Sequence, residues 1–195
     1  MPLRYGREPS NGTSLVRGSL QRLARRTSPM SEMGVDIASL QIQAPQAVYD
    51  LRAEEIAAGN GLASAHATGF RYLIGPQGTP AAAAEVITDG SGAAQIVANV
   101  SYGSFVASSA RALQQVANLG EAKSGSYEVR LLRFSAIAVL ALWLKADAGG
   151  TDILYPLAPA PAVLQAEKPY TPQEFLAAIM PIAQRRAQSH GPRVP

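Results

Sequence analysis

The stretch RLLRFSAIAVLALWLKADAGG, residues 130–150, decides the fold. From Phe134 to Leu144 eleven residues run with only Ser135 breaking the apolar character. A helix that crosses a bilayer needs about 20 apolar residues. Arg133 and Lys145 bracket this run and Arg130 stands one helical turn earlier, so no membrane span is expected. Its alanines and leucines favour helix. Tyr127, Val129, Leu131, Phe134, Ile137, Val139 and Trp143 favour strand. Residues 127–133 alternate, with Tyr127, Val129 and Leu131 on one face and Glu128 and Arg130 on the other. Beyond them both faces turn apolar, as in a central strand covered on both sides. We therefore read one long strand over 127–145. A bulge near Ser135 would explain the lost alternation and bring Arg130 and Arg133 to the same face. Residues 147–152 make a turn, and Ile153–Leu157 returns as a strand that Pro156 places at an edge or ends.

Working upstream, Ser104 opens a helix predicted over 104–119. Val106, Ser109, Ala110, Leu113, Val116 and Ala117 form its apolar stripe, and Gly120 stands where a left-handed closing residue is favoured. Before it, Ala82–Thr88 and Ala94–Val100 read as two strands around the hairpin loop Asp89-Gly90-Ser91-Gly92. The alanines of the first leave it ambiguous with helix. Phe70–Ile74 and Gln46–Leu51 are further strands, with a short helix over 52–58 between them. Downstream, Ala158-Pro159-Ala160-Pro161 is an extended connector. Thr171-Pro172-Gln173-Glu174 then starts a C-terminal helix: a Thr cap, a Pro at the first position and a Glu closing a capping box. Pro181 should kink or split that helix. The sum is an α+β fold. It has a largely antiparallel sheet of five or six strands, one helix (104–119) on a face and a C-terminal helix, most simply arranged in two layers.

The ends of the chain differ from its middle. Residues 1–32 hold six basic and two acidic groups, whereas residues 33–183 hold eight basic and twelve acidic. The formal net charge of +3 therefore reflects basic ends around a mildly acidic centre. We expect a disordered basic arm over 1–34, a single domain over 35–188 and a polar tail over 189–195. The arm lacks the apolar region of a secretory signal and also has the composition of a transit peptide. Met30 and Met33 offer alternative starts beyond it. Asn11-Gly12-Thr13 and Asn99-Val100-Ser101 match the glycosylation pattern, which matters only in a secreted chain. The 35 alanines, and 14 arginines against 3 lysines, fit a GC-rich bacterial genome and a cytoplasmic protein.

Several chemistries are excluded by what the chain lacks. With no cysteine there is no disulfide, thiolate nucleophile or Cys-ligated metal. Its two histidines, His66 and His190, stand apart from acidic residues at helical spacing, so no metal site is expected. There is no Gly-x-Ser-x-Gly elbow. Gly120–Ser126 has P-loop glycine spacing without the lysine after the second glycine. Gly59-Asn60-Gly61 has no third glycine for a dinucleotide fingerprint. No cofactor is expected.

What remains are charged residues within apolar strands: Arg71, Glu85, Arg130 and Arg133. A charge in a covered sheet must be paired or it is costly. The structural reading pairs Glu85 with one of the arginines. The functional reading makes Arg71, Tyr72, Arg130 and Arg133 a ligand-binding set for an anion. Trp143 reads as core. With no converging catalytic residues, the chain reads as a non-catalytic interaction or ligand-binding module. It would be a homo-oligomer through its sheet or through the apolar strands around Trp143, or take a protein partner. A small enzyme or anion-binding protein built on the strand arginines is the second reading. Nucleic-acid contact through the basic arm alone is the third.

Overall fold

A computed structural model describes residues 3–24, 39–76, 79–147 and 149–189. Its strands are β1 (Arg4–Tyr5), β2 (Gln41–Asp50), β3 (His66–Gly75), β4 (Ala82–Thr88), β5 (Ala94–Tyr102), β6 (Tyr127–Phe134), β7 (Val139–Ala146) and β8 (Ile153–Pro156). Its helices are α1 (Gly12–Ala24), α2 (Ala53–Ala57), α3 (Ser104–Val116), α4 (Gly120–Ser124) and α5 (Pro172–Ser189). The strands form one sheet in the order β5-β4-β3-β2-β6-β7-β8, and β1 pairs with β6. The α+β class stands, with eight strands where five or six were expected.

The apolar stretch is strand, but it is two strands and not one. β6 and β7 pair antiparallel from Tyr127↔Ala146 to Phe134↔Val139. A 3-10 turn at Ser135–Ile137 joins them, and Ala138 closes it at φ 53 in the left-handed region. The expected bulge at Ser135 is this turn. Alternation along β6 is therefore unbroken, and Arg130 and Arg133 lie on opposite faces. Both faces are apolar because both are covered. Leu132, Phe134, Ala141 and Trp143 meet Phe175 and Ile179 of α5 on one side. Leu131, Leu142 and Leu144 meet Ala112 and Val116 of α3 on the other. Each fully buried side chain of this size stabilises by about 1.5–3 kcal/mol.

Helices on both faces give three layers instead of two. On the α5 face, α1 covers the β3–β4 half, where Val16 and Leu20 pack on Tyr72, Ile74, Ala82 and Ala84. On the α3 face, Val106 packs on Leu73 and Ala83. The alanines that blur β4 in the sequence thus lie between helices, where small side chains let both layers approach. The basic arm is not disordered throughout: residues 4–24 supply a strand of the sheet and a helix of the core. Residues 25–34 of that arm, and the tail from 190 on with His190, lie outside the described residues.

Helix ends follow local chemistry. Gly103, at φ 90, turns the chain from β5 into α3. α3 ends at Val116, and Gly120 begins α4 instead of closing α3. The capping box at α5 forms: the Thr171 amide donates to Glu174 Oε2 at 2.9 Å, and the Glu174 amide donates to Thr171 Oγ1 at 3.3 Å. α5 continues through Pro181 without a break. Pro181 and Ala177, whose carbonyl loses its partner, are both exposed, so water can take up the lost bond.

Candidate functional site

Antiparallel pairing dominates the sheet, and its one long parallel pair is β2 with β6. That pair ends with Asp50 opposite Arg133. Arg133 Nε donates to Asp50 Oδ1 at 2.6 Å and Nη2 to Oδ2 at 3.0 Å, a two-pronged pair. Arg133 Nη1 donates to Glu85 Oε2 at 2.9 Å. The other Glu85 oxygen stands 3.9 Å from Arg71 Nε. Arg71 Nη1 then donates to Ser109 Oγ of α3 at 2.7 Å. Ser109 accepts that bond because its own proton goes to the Phe105 carbonyl at 2.7 Å. Four charges, two of each sign, run as a chain from beneath α3 to the open end of the sheet.

Burial grades along that chain. Arg71 is 1% exposed, Glu85 19% and Arg133 31%. Burial pulls the Arg71 guanidinium below its ordinary pKa, against the opposing pull of Glu85. The hydrogen bonds Arg133 donates to Asp50 hold its pKa above its ordinary value, with burial opposing. Next to Arg71 in register is Gln46, fully buried, and neither end of its amide has a hydrogen-bond partner among the described residues.

Three depressions converge on the outer part of this cluster. One of about 600 Å³ lies over β2–β5 where α3 leaves the sheet bare, and Asp50, Glu85 and Arg133 line it. A second of about 650 Å³ shares Asp50 and adds Glu54, His66 and Ser135. A third of about 270 Å³ shares Glu85, Arg133 and Ser135. Together they form a trough around one end of the sheet. Gly69 permits its curvature: a Cβ there would lie 1.8 Å from the Val86 carbonyl oxygen.

The four residues proposed as one ligand-binding set are not brought together. Arg71 and Arg133 share Glu85 on the α3 face. Tyr72 faces the opposite way, packed with Val16 and Leu20, and its hydroxyl abuts Gly12. Burial, and next the charge of Glu8, raise its phenol pKa. Arg130 is also on the α5 face. It lies 4.7 Å over the Tyr49 ring and 5.1 Å over Trp143, with Nε bonded to Glu128 at 2.6 Å. Trp143 is buried core, and its indole donates to Asp152 at 2.8 Å.

The pairing of Glu85 with an arginine occurs twice over, with Arg71 and Arg133. Sequence reasoning missed Asp50, which it placed only within the strand Gln46–Leu51. The parallel register of β2 with β6 brings Asp50 to Arg133, and the only signal for it was a lone acid at the end of an apolar strand. Asn11 of the glycosylation pattern is engaged: its Nδ2 donates to the Ala94 carbonyl at 2.7 Å. Arg4 of the basic arm pairs with Asp147. Among the described residues, no group of three or more His, Cys, Asp or Glu side chains could hold a metal ion. No described helix is long and apolar enough to cross a membrane. Comparison with protein-family models, curated proteins and solved structures returns no match to this chain.

Proposed function

We propose that the chain is a non-catalytic binding module, bacterial and cytoplasmic as its composition leads one to expect, whose ligand lies against Arg133 in the trough. The observation that carries this reading is the convergence of three depressions on Asp50, Glu85, Arg133 and Ser135. The ligand class follows from the charges. Arg71, Arg133, Asp50 and Glu85 cancel, so the site favours a neutral molecule. Arg133 uses three of its five N–H donors on Asp50 and Glu85. Two remain for an acceptor. Thr88 and Asn99 line the same depression, and Ile87 adds an apolar wall. A ligand with amide or hydroxyl groups beside an apolar portion suits this set.

An anion at the two free N–H groups of Arg133 would lie beside the charges of Asp50 and Glu85, which disfavours the anion-binding reading. Among the described residues that line the trough, no hydroxyl is hydrogen-bonded to a histidine or a carboxylate. His66 and Ser135 line the depression that Asp50 lines, yet both Asp50 oxygens are taken by Arg133. A nucleophile needs its base within about 2.6–3.2 Å.

The test is a titration of neutral amide and polyol fragments into the isotope-labelled full chain, followed by amide NMR. Shifts should cluster at Gly69, Val86, Ala98 and Asn99 and vanish in Arg133→Met. Shifts elsewhere, or none, overturn the reading. Turnover of any tested substrate that Glu85→Gln abolishes would replace it with the enzyme reading.

A further inference from the structure

The two edges of the sheet are unlike. β8 is four residues long and ends in Pro156. Leu154 exchanges both backbone bonds with Tyr170, at 2.9 and 2.8 Å, and the Glu167 amide covers the Pro156 carbonyl at 2.9 Å. That edge is closed. β5, at the other edge, is nine residues long and reads AQIVANVSY, with no charge and no proline. Asn11 covers one rung: its amide bonds the Ala94 carbonyl at 2.7 Å and accepts from the Ala94 N–H at 3.0 Å. Beyond Ala94 no described segment hydrogen-bonds the outer side of β5. Monomeric sheets usually block such an edge with charge, proline, bulges or a cover. Among the described residues the only such devices are the Asn11 rung and register slips at Gln95 and Ala98, which leave Asn99–Tyr102 in regular pairing with Ala82–Glu85.

Apolar side chains accompany the open edge. Ile96 is 56% exposed and stands opposite Ile87, itself 48% exposed, on the α3 face. Tyr102, 43% exposed, lies on the other face. An edge with exposed apolar groups on both faces is suited to a sheet that continues. We propose that β5 pairs antiparallel with β5 of a second copy of this chain, about a two-fold axis, so that one sheet runs through a dimer.

Two observations select a second copy over an unrelated strand. β5 carries no charge, so meeting itself brings no like charges together. The edge that remains free in each protomer, β8, is closed, so the assembly stops at two instead of growing into a fibre. Backbone pairing along about 30 Å of strand does not by itself bury the roughly 800 Å² per partner typical of stable complexes. Ile87, Ile96 and Tyr102 must therefore contribute, which makes Ile96 the position to test.

The experiment is light-scattering mass of the full chain with three sequences: unaltered, Ile96→Lys, and Val163→Lys as an exposed apolar control far from β5. The unaltered chain and the control should have the mass of a dimer. Ile96→Lys should have the mass of a monomer with an unchanged far-ultraviolet circular dichroism spectrum. Amides of β5 should exchange with deuterium faster in the variant. A monomeric unaltered chain overturns the proposal, as does a dimer that survives Ile96→Lys. Because this readout is mass and not ligand binding, it stands or falls apart from the trough.

Discussion

Asp50 and Arg133 face each other across the last rung of the β2–β6 parallel pair, and their side chains lock at 2.6 and 3.0 Å. Arg133 also holds Glu85, so its removal strips Asp50 of its partner and leaves Glu85 with only the longer 3.9 Å contact to Arg71. Breaking a fully buried pair costs about 3–5 kcal/mol. Arg133 is 31% exposed and Asp50 24%, so water screens part of that. We expect Arg133→Met to lose about 1–3 kcal/mol in urea unfolding, and Asp50→Asn with Glu85→Gln to restore much of it. A loss in the triple variant equal to the sum of the single losses would show that the three groups act independently. Because the hydrogen bonds to Asp50 raise the Arg133 pKa, the contribution of its charge is present below the ordinary arginine value and is lost as pH rises through the folded-state value in strong alkali.

Gly69 pairs with Ile87 in the β3–β4 ladder. A methyl group there would sit 1.8 Å from the Val86 carbonyl oxygen, a backbone atom that cannot swing aside. Gly69→Ala should cost about 3 kcal/mol through forced separation of the strands. Gly90→Ala, with nothing within 4 Å, is the matching control for added bulk. Equal unfolding midpoints for the two variants would refute the close-approach argument.

Local signals carried the fold further than they carried the site. β4 spans 82–88 as read, and the capping box of α5 forms between the expected residues, because each depends on neighbours in sequence. The β6–β7 turn was missed because Ser135-Ala136-Ile137-Ala138 has no glycine, asparagine or proline. Ala138 adopts its left-handed conformation without the residue type that usually announces it. The N-terminal helix was missed because its apolar face is short. Val16 and Leu20 are its buried anchors, and arginines surround them in the sequence. The site was partly legible. Charges inside apolar strands pointed to Arg71, Glu85 and Arg133, but their common face depends on strand register, which no local pattern fixes. Arg130 and Tyr72 were grouped with them on sequence proximity and face away.

The exposed carboxylates predict the acid limb of stability. The Thr171 amide and hydroxyl hold the Glu174 carboxyl below its ordinary value of 4.5. Bonds from Ser91, the Ala93 amide and Gln95 likewise lower Asp89. A depressed folded-state pKa means stability that is fully present above the unfolded value and is lost as pH falls through the folded one. Thermal midpoints should therefore be flat above about pH 5 and fall below it. Glu174→Gln and Asp89→Asn should each flatten that fall without altering the neutral plateau by more than the loss of one cap. A steeper fall in either variant would contradict the hydrogen-bond assignment.

Gln46 provides the sharpest test of what lies beneath α3. It is fully buried beside Arg71, and neither its Oε1 nor its Nε2 has a hydrogen-bond partner among the described residues. A buried polar group without a hydrogen bond costs about 1–3 kcal/mol. Leucine has a similar volume and no polar atoms, and the Gln46 side chain lies alongside apolar neighbours such as Val48 and Val129 on the same face. Gln46→Leu should therefore raise stability by about 1–2 kcal/mol, read as a higher urea midpoint at unchanged slope. Arg71 adds to the argument, because its Nε lacks a hydrogen bond while Glu85 keeps Arg133 as a partner. Arg71→Met should therefore be nearly neutral, in contrast to Arg133→Met. If Gln46→Leu instead loses stability, the amide is satisfied by something other than this chain. The space between β2, β3 and α3 would then hold a bound polar molecule.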